Sequence, residues 1–264
     1  MNTTVFMRQA KSLLSNKWQD AAIGTLLFLI IQSIIIGFLS LSIAFILIPI
    51  VDNLKDYFSL PILIIACFTI NAIITGPLFV GYIQFLSNLV NSKNCNYKLI
   101  LNGFKYYRKN FTLGTFYCFI LSTICIIYQL LPQDYTWIIF RIIYSVIAIV
   151  ILLRISIIFF YTQLLTVSTS PSHIVYETWH LTKPIQWQLV SITFRFIGWF
   201  IIGILTLGIG FLWIIPYICI TYLQLVKQAT SIEPKTHVWT FAQIFTIGFI
   251  IIFWGTMLIG AYLN

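Results

Sequence analysis

Charged residues are scarce in this chain, and acidic residues are the scarcest of them. Of 264 residues, 8% are charged and 60% are hydrophobic, and 6 Asp and Glu stand against 15 Lys and Arg. A soluble domain carries about 25% charged residues, because water must wet its surface. The scarcity excludes an ordinary soluble domain and predicts an integral membrane protein. Since the basic residues flank apolar runs, we expect the lipid bilayer and its anionic headgroups, not nucleic acid, as their counterpart.

The sequence also lacks the motifs that would identify an enzyme. No glycine-rich loop ends in Gly-Lys-Ser/Thr, no Cys-x-x-Cys pair occurs, and no Asp or Glu falls in the centre of a predicted span. His173, Glu177 and His180 share one face of a predicted helix. Because the His-Glu-x-x-His pattern is missing, a solvated helix face is preferred there to a metal site. We expect a non-enzymatic protein without a cofactor.

Long apolar runs are what the sequence has in abundance. A spanning helix needs about 20 apolar residues to cross about 30 Å of hydrocarbon, and these runs lack the two-residue alternation of barrel strands. They predict an all-α, polytopic transmembrane helix bundle of six or seven spans, which forms a single integral membrane domain over residues 1–264. The predicted spans are Ala21–Leu47, Leu60–Val90, Phe111–Leu131, Trp137–Val167, Leu189–Thr206, Ile209–Val226 and Val238–Leu263.

The segment before the first span, residues 1–20, is predicted to be an amphipathic lead-in helix. Its apolar residues can share one face, while its basic residues would face headgroups. The apolar residues are Val5, Phe6, Leu13, Leu14 and Trp18, and the basic ones are Arg8, Lys11 and Lys17. The run that follows is too long for a signal-peptide core and has no small-residue cleavage site, so we expect it to be retained as the first span.

Basic residues are distributed unevenly between the gaps that separate the predicted spans. The gaps on one side carry eleven of them, five in the loop 91–110, whereas the gaps on the other side carry Lys55 alone. Cytoplasmic loops of membrane proteins are enriched in Lys and Arg. The distribution therefore predicts a multi-pass protein of the cell membrane, with a cytoplasmic N-terminus and an extracellular C-terminus.

Glycine and proline mark the predicted bends of the bundle. The apolar run that holds the fifth and sixth spans must turn within itself. We predict the turn at residues 206–210, because Gly208 and Gly210 accept backbone angles that other residues resist. Proline removes a backbone donor, so Gly76-Pro77 predicts a kink in the second span.

Two predicted hairpins, spans one and two and spans five and six, echo each other in sequence. The matched positions are Trp18-Gln19 and Ile23 with Trp187-Gln188 and Ile192, and Pro77, Tyr82 and Gln84 with Pro216, Tyr222 and Gln224. Pro216 would bend the sixth span as Pro77 bends the second. Parallel repeats of this kind occur in transporters. An internal duplication is one hypothesis, and chance similarity over so few positions is the other.

Three arginines, Arg141, Arg154 and Arg195, lie inside predicted spans without an acidic partner. Each would cost about 2.5–3.5 kcal/mol at a helix centre. Arg154 and Arg195 are predicted to differ in depth by roughly 10 Å. This favours an inward-facing cavity for an anion or a lipid headgroup between them, with Tyr161 or Gln163 near its mouth. The alternative is that both side chains snorkel to the headgroup layer.

Two stretches resemble a family of bacterial integral membrane proteins that is classed as domain of unknown function 975. The residues that carry the resemblance are Phe196-Ile197-Gly198-Trp199, Leu205–Gly210, Trp213, Pro216-Tyr217, Gly76-Pro77-Leu78 and Gly81. The chain departs from the family at Leu152-Leu153-Arg154 and Ser170-Pro171, where the family has Pro-Gly and Asp-Pro, and segment 238–263 looks like an additional C-terminal span. The resemblance implies a polytopic, non-enzymatic membrane protein and supplies no catalytic residues.

Three hypotheses for function follow from these patterns. The first is a non-enzymatic accessory, protective or immunity-type factor that acts through lipid or through a membrane protein partner. The second is a small transporter or channel component, motivated by the intramembrane arginines and the sequence echo. The third, a membrane-embedded lipid enzyme, has the least support because no span carries an acid–base pair.

Overall fold

The described part of the chain is built almost wholly from helices. The computed structural model describes residues 3–51, 75–91, 96–130, 138–162 and 170–232, and no strand occurs among them, which confirms the all-α prediction. The helices are α1 Thr4–Leu14, α2 Trp18–Val51, α3 at residues 75–91, α4 Tyr107–Leu130, α5 Ile138–Tyr161, α6 Pro171–Leu205 and α7 Phe211–Ile232, with a 3-10 helix at Tyr97–Tyr106.

Four of the described helices are long and apolar enough to cross a membrane. By length and composition these are Trp18–Phe38, Ile138–Tyr161, Pro171–Leu205 and Phe211–Ser231. They support a membrane-spanning bundle, since each meets the roughly 20 residues that a crossing requires. The count of six or seven spans stays a prediction, and the span predicted over 238–263 lies outside the described residues.

Helix α6 is much longer than the span predicted to begin at Leu189. It begins at Pro171, after Ser170 accepts a hydrogen bond from the backbone N–H of His173 at 3.4 Å. Its 35 residues extend about 52 Å, well beyond the roughly 30 Å of hydrocarbon. The helix continues through Lys183 and Pro184, whose side chains are both exposed, so the predicted cytoplasmic gap before Leu189 is helical, and its place outside the membrane stays a prediction.

The centre of the bundle is filled by aromatic side chains. Phe28 of α2 stacks on Tyr82 of α3 with ring centroids 4.5 Å apart. Phe79 of α3 meets Phe159 of α5 edge to face at 5.5 Å, and Phe160 lies 5.7 Å from Tyr222 of α7. Pairs with these geometries add about 0.5–1.5 kcal/mol each to the burial of their surface. Helices α2, α3, α5 and α7 therefore converge on one aromatic core.

The apolar face of the amphipathic lead-in helix packs on the protein, while Arg8 and Lys11 are exposed. Phe6, Ala10 and Leu14, spaced one turn apart, are fully buried in the core, and the Tyr217 hydroxyl of α7 donates to the Met7 carbonyl at 3.2 Å. Lys17, predicted to face headgroups, donates from Nζ to the Leu89 carbonyl at 2.6 Å, at the C-terminal end of α3. An exposed helix end leaves carbonyls without donors, and a lysine can supply one.

Residues 97–110 of the predicted basic loop 91–110 are helical. Its 3-10 helix packs so closely on α3 that a Cβ on Gly81 or Gly103 would overlap the backbone of the opposing segment. Ile100 is fully buried, and the Asn110 side-chain amide donates to the Gly103 carbonyl at 2.7 Å. Positive charge indicated a solvated loop, but two glycines permit a backbone contact that charge counting does not detect.

Candidate functional site

Arg154 is held by helix α6. Its Nε donates to the Thr182 hydroxyl at 3.3 Å, and Nη2 donates to the Trp179 carbonyl at 3.1 Å. The guanidinium carbon lies 3.9 Å from the centroid of the Trp179 indole ring. A hydroxyl, a carbonyl and an aromatic face thus replace the missing carboxylate. Neither Thr182 nor Trp179 was singled out from the sequence as a partner of Arg154.

The structure does not bring Arg154 and Arg195 together. Arg154 contacts α6 at Trp179 and Thr182, whereas Arg195 lies 13 residues beyond Thr182 on the same helix. That spacing is about 20 Å along the axis, twice the separation that was predicted. The predicted value is a difference in depth that takes Leu189 as the inner start of the span, whereas the contacts of Arg154 lie before Leu189 on α6. The Arg195 side chain is exposed.

The structure describes one of the two residues expected at the mouth of the predicted anion cavity. Tyr161 is 8% exposed and belongs to the apolar core at the end of α5. Gln163 lies outside the described residues. The pair therefore adds no support for an anion site between the two arginines.

The turn between α6 and α7 occupies residues 206–210, the segment predicted for it. Gly208 has a φ of +90°, an angle that side chains rarely tolerate. Gly210 plays a different part from the one predicted. A Cβ there would lie 2.6 Å from the Thr206 hydroxyl and 3.1 Å from the Gly203 Cα, so Gly210 is needed for space.

Kinks were predicted at Gly76-Pro77 and at Pro216. Helix α7 runs without interruption through Pro216. Residues 75–91 are helical across Gly76-Pro77, but the segment before residue 75 lies outside the described residues, so a kink there stays a prediction. Gly76 serves packing, since a Cβ on it would lie 2.8 Å from the Gly114 Cα of α4.

Each of the two echoing hairpins holds a pair of Thr and Tyr hydroxyls, buried in the first hairpin and half-buried in the second, that the sequence comparison missed. The hydroxyls of Thr25 and Tyr82 lie 2.7 Å apart between α2 and α3, and those of Thr193 and Tyr222 lie 2.6 Å apart between α6 and α7. Each threonine also donates to the carbonyl four residues earlier, which leaves each tyrosine to donate. The spacing differs by one residue between the hairpins: Thr25 follows Trp18 by seven residues and Thr193 follows Trp187 by six. Likewise, Tyr82 follows Pro77 by five residues and Tyr222 follows Pro216 by six.

A polar cleft lies between α1 and the C-terminal part of α7. It encloses about 390 Å³ and is lined by Val5, Phe6, Gln9, Gln224, Lys227, Gln228 and Ser231. The four α7 residues fall at i, i+3, i+4 and i+7, which places them on one helix face. That polar stripe in an otherwise apolar run was a readable signal, and sequence reasoning did not use it.

The His173, Glu177 and His180 face is divided between two contacts. His173 Nε2 lies 3.6 Å from Glu177 Oε1, whereas the His180 ring lies 4.4 Å from the ring of Tyr176. No group of three His, Cys, Asp or Glu residues that could hold a metal ion is found in the described ranges.

Comparisons with family models, with curated proteins and with solved structures find no match for this chain. The resemblance to domain of unknown function 975 therefore stays a prediction. Any functional assignment must come from the chain's own helices, arginines and α1–α7 cleft.

Proposed function

We propose that this chain is a non-enzymatic, multi-pass protein of the cell membrane, an accessory, protective or immunity-type factor that acts through lipid or through a membrane protein partner. The observation that carries the proposal is the engagement of Arg154 by Thr182 and Trp179. The arginines were the main reason to expect a transported anion. An arginine that donates through Nε and Nη2 to a neighbouring helix contributes to packing.

Aromatic contacts inside the described bundle support the same proposal. Rings from α2, α3, α5 and α7 pack on one another and join these four helices, which is the work of a structural core and not of a solute-binding surface. The proposal keeps the orientation predicted from basic residues, with the N-terminus and the segment around Lys98 and Lys105 in the cytoplasm.

A small transporter or channel component is the second candidate. One observation favours it: Arg195 is exposed on α6, and its side chain makes no hydrogen bond or ion pair within the part of the chain that the structure describes. An exposed guanidinium in a predicted span is free to meet an anion or a headgroup phosphate.

Reconstituted vesicles separate these functions. Purified protein is placed in phosphatidylglycerol–phosphatidylcholine vesicles loaded with a fluorescent dye and labelled phosphate, beside vesicles with an unrelated multi-pass protein. We expect slower dye release on addition of a cationic membrane-active peptide, with phosphate retained and lipid intact. Saturable phosphate efflux would favour the transporter instead, and release of headgroups or acyl chains would favour a lipid enzyme. Dye release equal to the control would reject a protective role.

A further inference from the structure

The α1–α7 cleft combines hydrogen-bond donors with a single positive charge. Three glutamine amides, from Gln9, Gln224 and Gln228, line it together with the Lys227 ammonium. Amide NH₂ groups donate two hydrogen bonds each, and an ammonium donates three. None of the described residues that line the cleft is acidic. The cleft therefore suits an anion with several oxygen acceptors and does not suit a metal cation.

Several of these donors have no other use in the described part of the chain. The side chains of Gln9, Gln224 and Lys227 make no hydrogen bond to the residues that the structure describes. The Ser231 hydroxyl donates to the Lys227 carbonyl at 3.0 Å, so it supports the helix and presents its oxygen to the cleft. Lys227 itself is half-buried and lines the cleft.

The apolar part of the lining indicates what is attached to the anion. Val5 is 47% exposed and Phe6 is buried, and both border the cleft beside the polar stripe of α7. A free phosphate ion gains nothing from an apolar border, whereas a phospholipid brings acyl chains that bury against one. The volume of about 390 Å³ lies near the lower end of the range of about 300–1,000 Å³ for small-molecule pockets.

The depth of the cleft also matches a headgroup. Lys227 lies 16 residues after Phe211, the first residue of α7, which is about 24 Å along the helix. With the 206–210 turn at one face of a hydrocarbon layer about 30 Å thick, the Lys227 Cα would lie about 6 Å short of the opposite face, a distance that a lysine side chain spans by snorkelling. Lipid phosphates lie at that face, on the side where the predicted topology concentrates the basic residues.

We propose that the α1–α7 cleft binds the phosphate of an anionic phospholipid through Lys227, Gln9 and Gln224. This inference rests on the proposed function, because it identifies lipid as the molecule through which the protein acts. Arg154 and Arg195 do not contribute to this site. Lys227 supplies the charge, and the two amides orient the phosphate oxygens.

The test measures lipid binding by the full-length protein in mild detergent, by native mass spectrometry with short-chain lipids. Phosphatidylglycerol is compared with phosphatidylcholine, with diacylglycerol, which lacks phosphate, and with inorganic phosphate as competitor. Three variants are used: Lys227→Met, Lys227→Arg, and Lys11→Met as matched control, since Lys11 is exposed on α1 and does not line the cleft.

We expect Lys227→Met to weaken phosphatidylglycerol binding about fivefold, since a cation at the surface contributes about 1 kcal/mol to the attraction of anionic lipid. Lys227→Arg and Lys11→Met should bind like the wild type, and inorganic phosphate should not displace the lipid. Equal weakening in Lys227→Met and Lys11→Met would overturn the proposal in favour of diffuse charge attraction. Displacement of phosphatidylglycerol by inorganic phosphate would overturn the proposal of a lipid ligand, because the cleft would then be a site for free phosphate.

A folding defect would lower binding in every lipid arm and would shift the thermal unfolding of Lys227→Met. Gln9→Leu, on an exposed position of α1, then provides the second variant, and unchanged phosphatidylglycerol binding in it would count against the proposal. Failure of the proposed function has a different signature, because phosphate efflux from vesicles would reject that function while selective lipid binding stayed intact.

Discussion

Arg154 shows how a charge in an apolar helix is stabilised without an acid. Its hydrogen bonds to Thr182 and to the Trp179 carbonyl, and the indole ring against the guanidinium, all come from α6. In hydrocarbon such bonds contribute about 0.6 kcal/mol on average, and up to about 1.7. Arg154 therefore joins α5 to α6, while Arg195 contributes no comparable contact within the described residues.

Arg154→Leu should separate membrane insertion from helix packing. We expect insertion to be unchanged or improved, because removing a charge from a helix relieves about 2.5–3.5 kcal/mol. The folded bundle should nevertheless lose about 1–2 kcal/mol of unfolding free energy, from two hydrogen bonds and one cation–π contact. Insertion is measured by glycosylation mapping, and packing by unfolding in a dodecyl sulfate titration.

Arg195→Leu is the matched control for this experiment. It removes the same charge from an exposed position of α6, so its unfolding free energy should stay within about 0.5 kcal/mol of the wild type. An equal loss of stability in both variants would mean that the Thr182 and Trp179 contacts of Arg154 do not stabilise the bundle.

At the scale of elements, the 206–210 turn makes the hairpin of α6 and α7 possible. Gly208→Ala should lower the unfolding free energy by about 1–2 kcal/mol, since a φ of +90° brings a Cβ into conflict with the backbone. The measurement is the same denaturant titration. A Gly208→Ala protein as stable as the wild type would show that the turn tolerates another backbone conformation.

Gly198→Ala is the control for glycine replacement as such. Gly198 lies within α6, and a Cβ there meets no atom within 4 Å. Because alanine favours a helix over glycine by up to about 1 kcal/mol, this variant should match or exceed the stability of the wild type.

The paired hydroxyls give a prediction about the two echoing hairpins. Tyr82→Phe and Tyr222→Phe should each cost about 0.5–1.5 kcal/mol of unfolding free energy, because each removes one interhelical hydrogen bond to a threonine. Tyr107→Phe, at an exposed ring, should leave stability unchanged. A loss of unfolding free energy in only one of Tyr82→Phe and Tyr222→Phe would count against equivalent roles for the two hairpins.

How much of this architecture the sequence predicts differs from element to element. Hydrophobic runs identify helices where lipid and core demand apolar residues, and glycine identifies the 206–210 turn. The sequence indicates a helix that carries His173, Glu177 and His180, but not that this helix continues unbroken through Lys183 and Pro184 into the predicted span at Leu189. The 3-10 helix depends on contact between Gly81 and Gly103, which are distant in sequence.

The candidate site was predicted less well than the fold. Charge within apolar runs identified Arg154 and Arg195 as candidates. Which part of α6 faces α5 depends on how far α6 extends before the predicted span, and the start of that span was predicted at Leu189. The cleft forms where a polar stripe on α7 contacts α1, although the two helices are separated by more than two hundred residues in the sequence. The stripe itself is visible in the spacing of Gln224, Lys227, Gln228 and Ser231, whereas its partner is a property of the fold.

At the scale of the whole molecule, orientation in the membrane is the main prediction. In a background without native cysteines, Leu101→Cys, 53% exposed on the 3-10 helix, should react with an impermeant maleimide only after cells are permeabilised. Asn53→Cys, in the predicted outer gap, should react in intact cells. The eleven basic residues on one side supply the physical reason. Equal labelling of both positions in intact cells would reverse or abolish this orientation.

The contact between α1 and α7 also sets an order of events in time. Met7 and Tyr217, which share a hydrogen bond, are 210 residues apart in the chain. A ribosome adds about 5–20 residues per second, so α1 is complete roughly 10–40 s before its partner exists. During that interval Phe6, Ala10 and Leu14 have no protein surface to cover them, and an amphipathic helix in that state binds the membrane interface. Helix α1 is thus the first to be synthesised and among the last to reach its final position. The α1–α7 cleft can form only after the ribosome has completed α7.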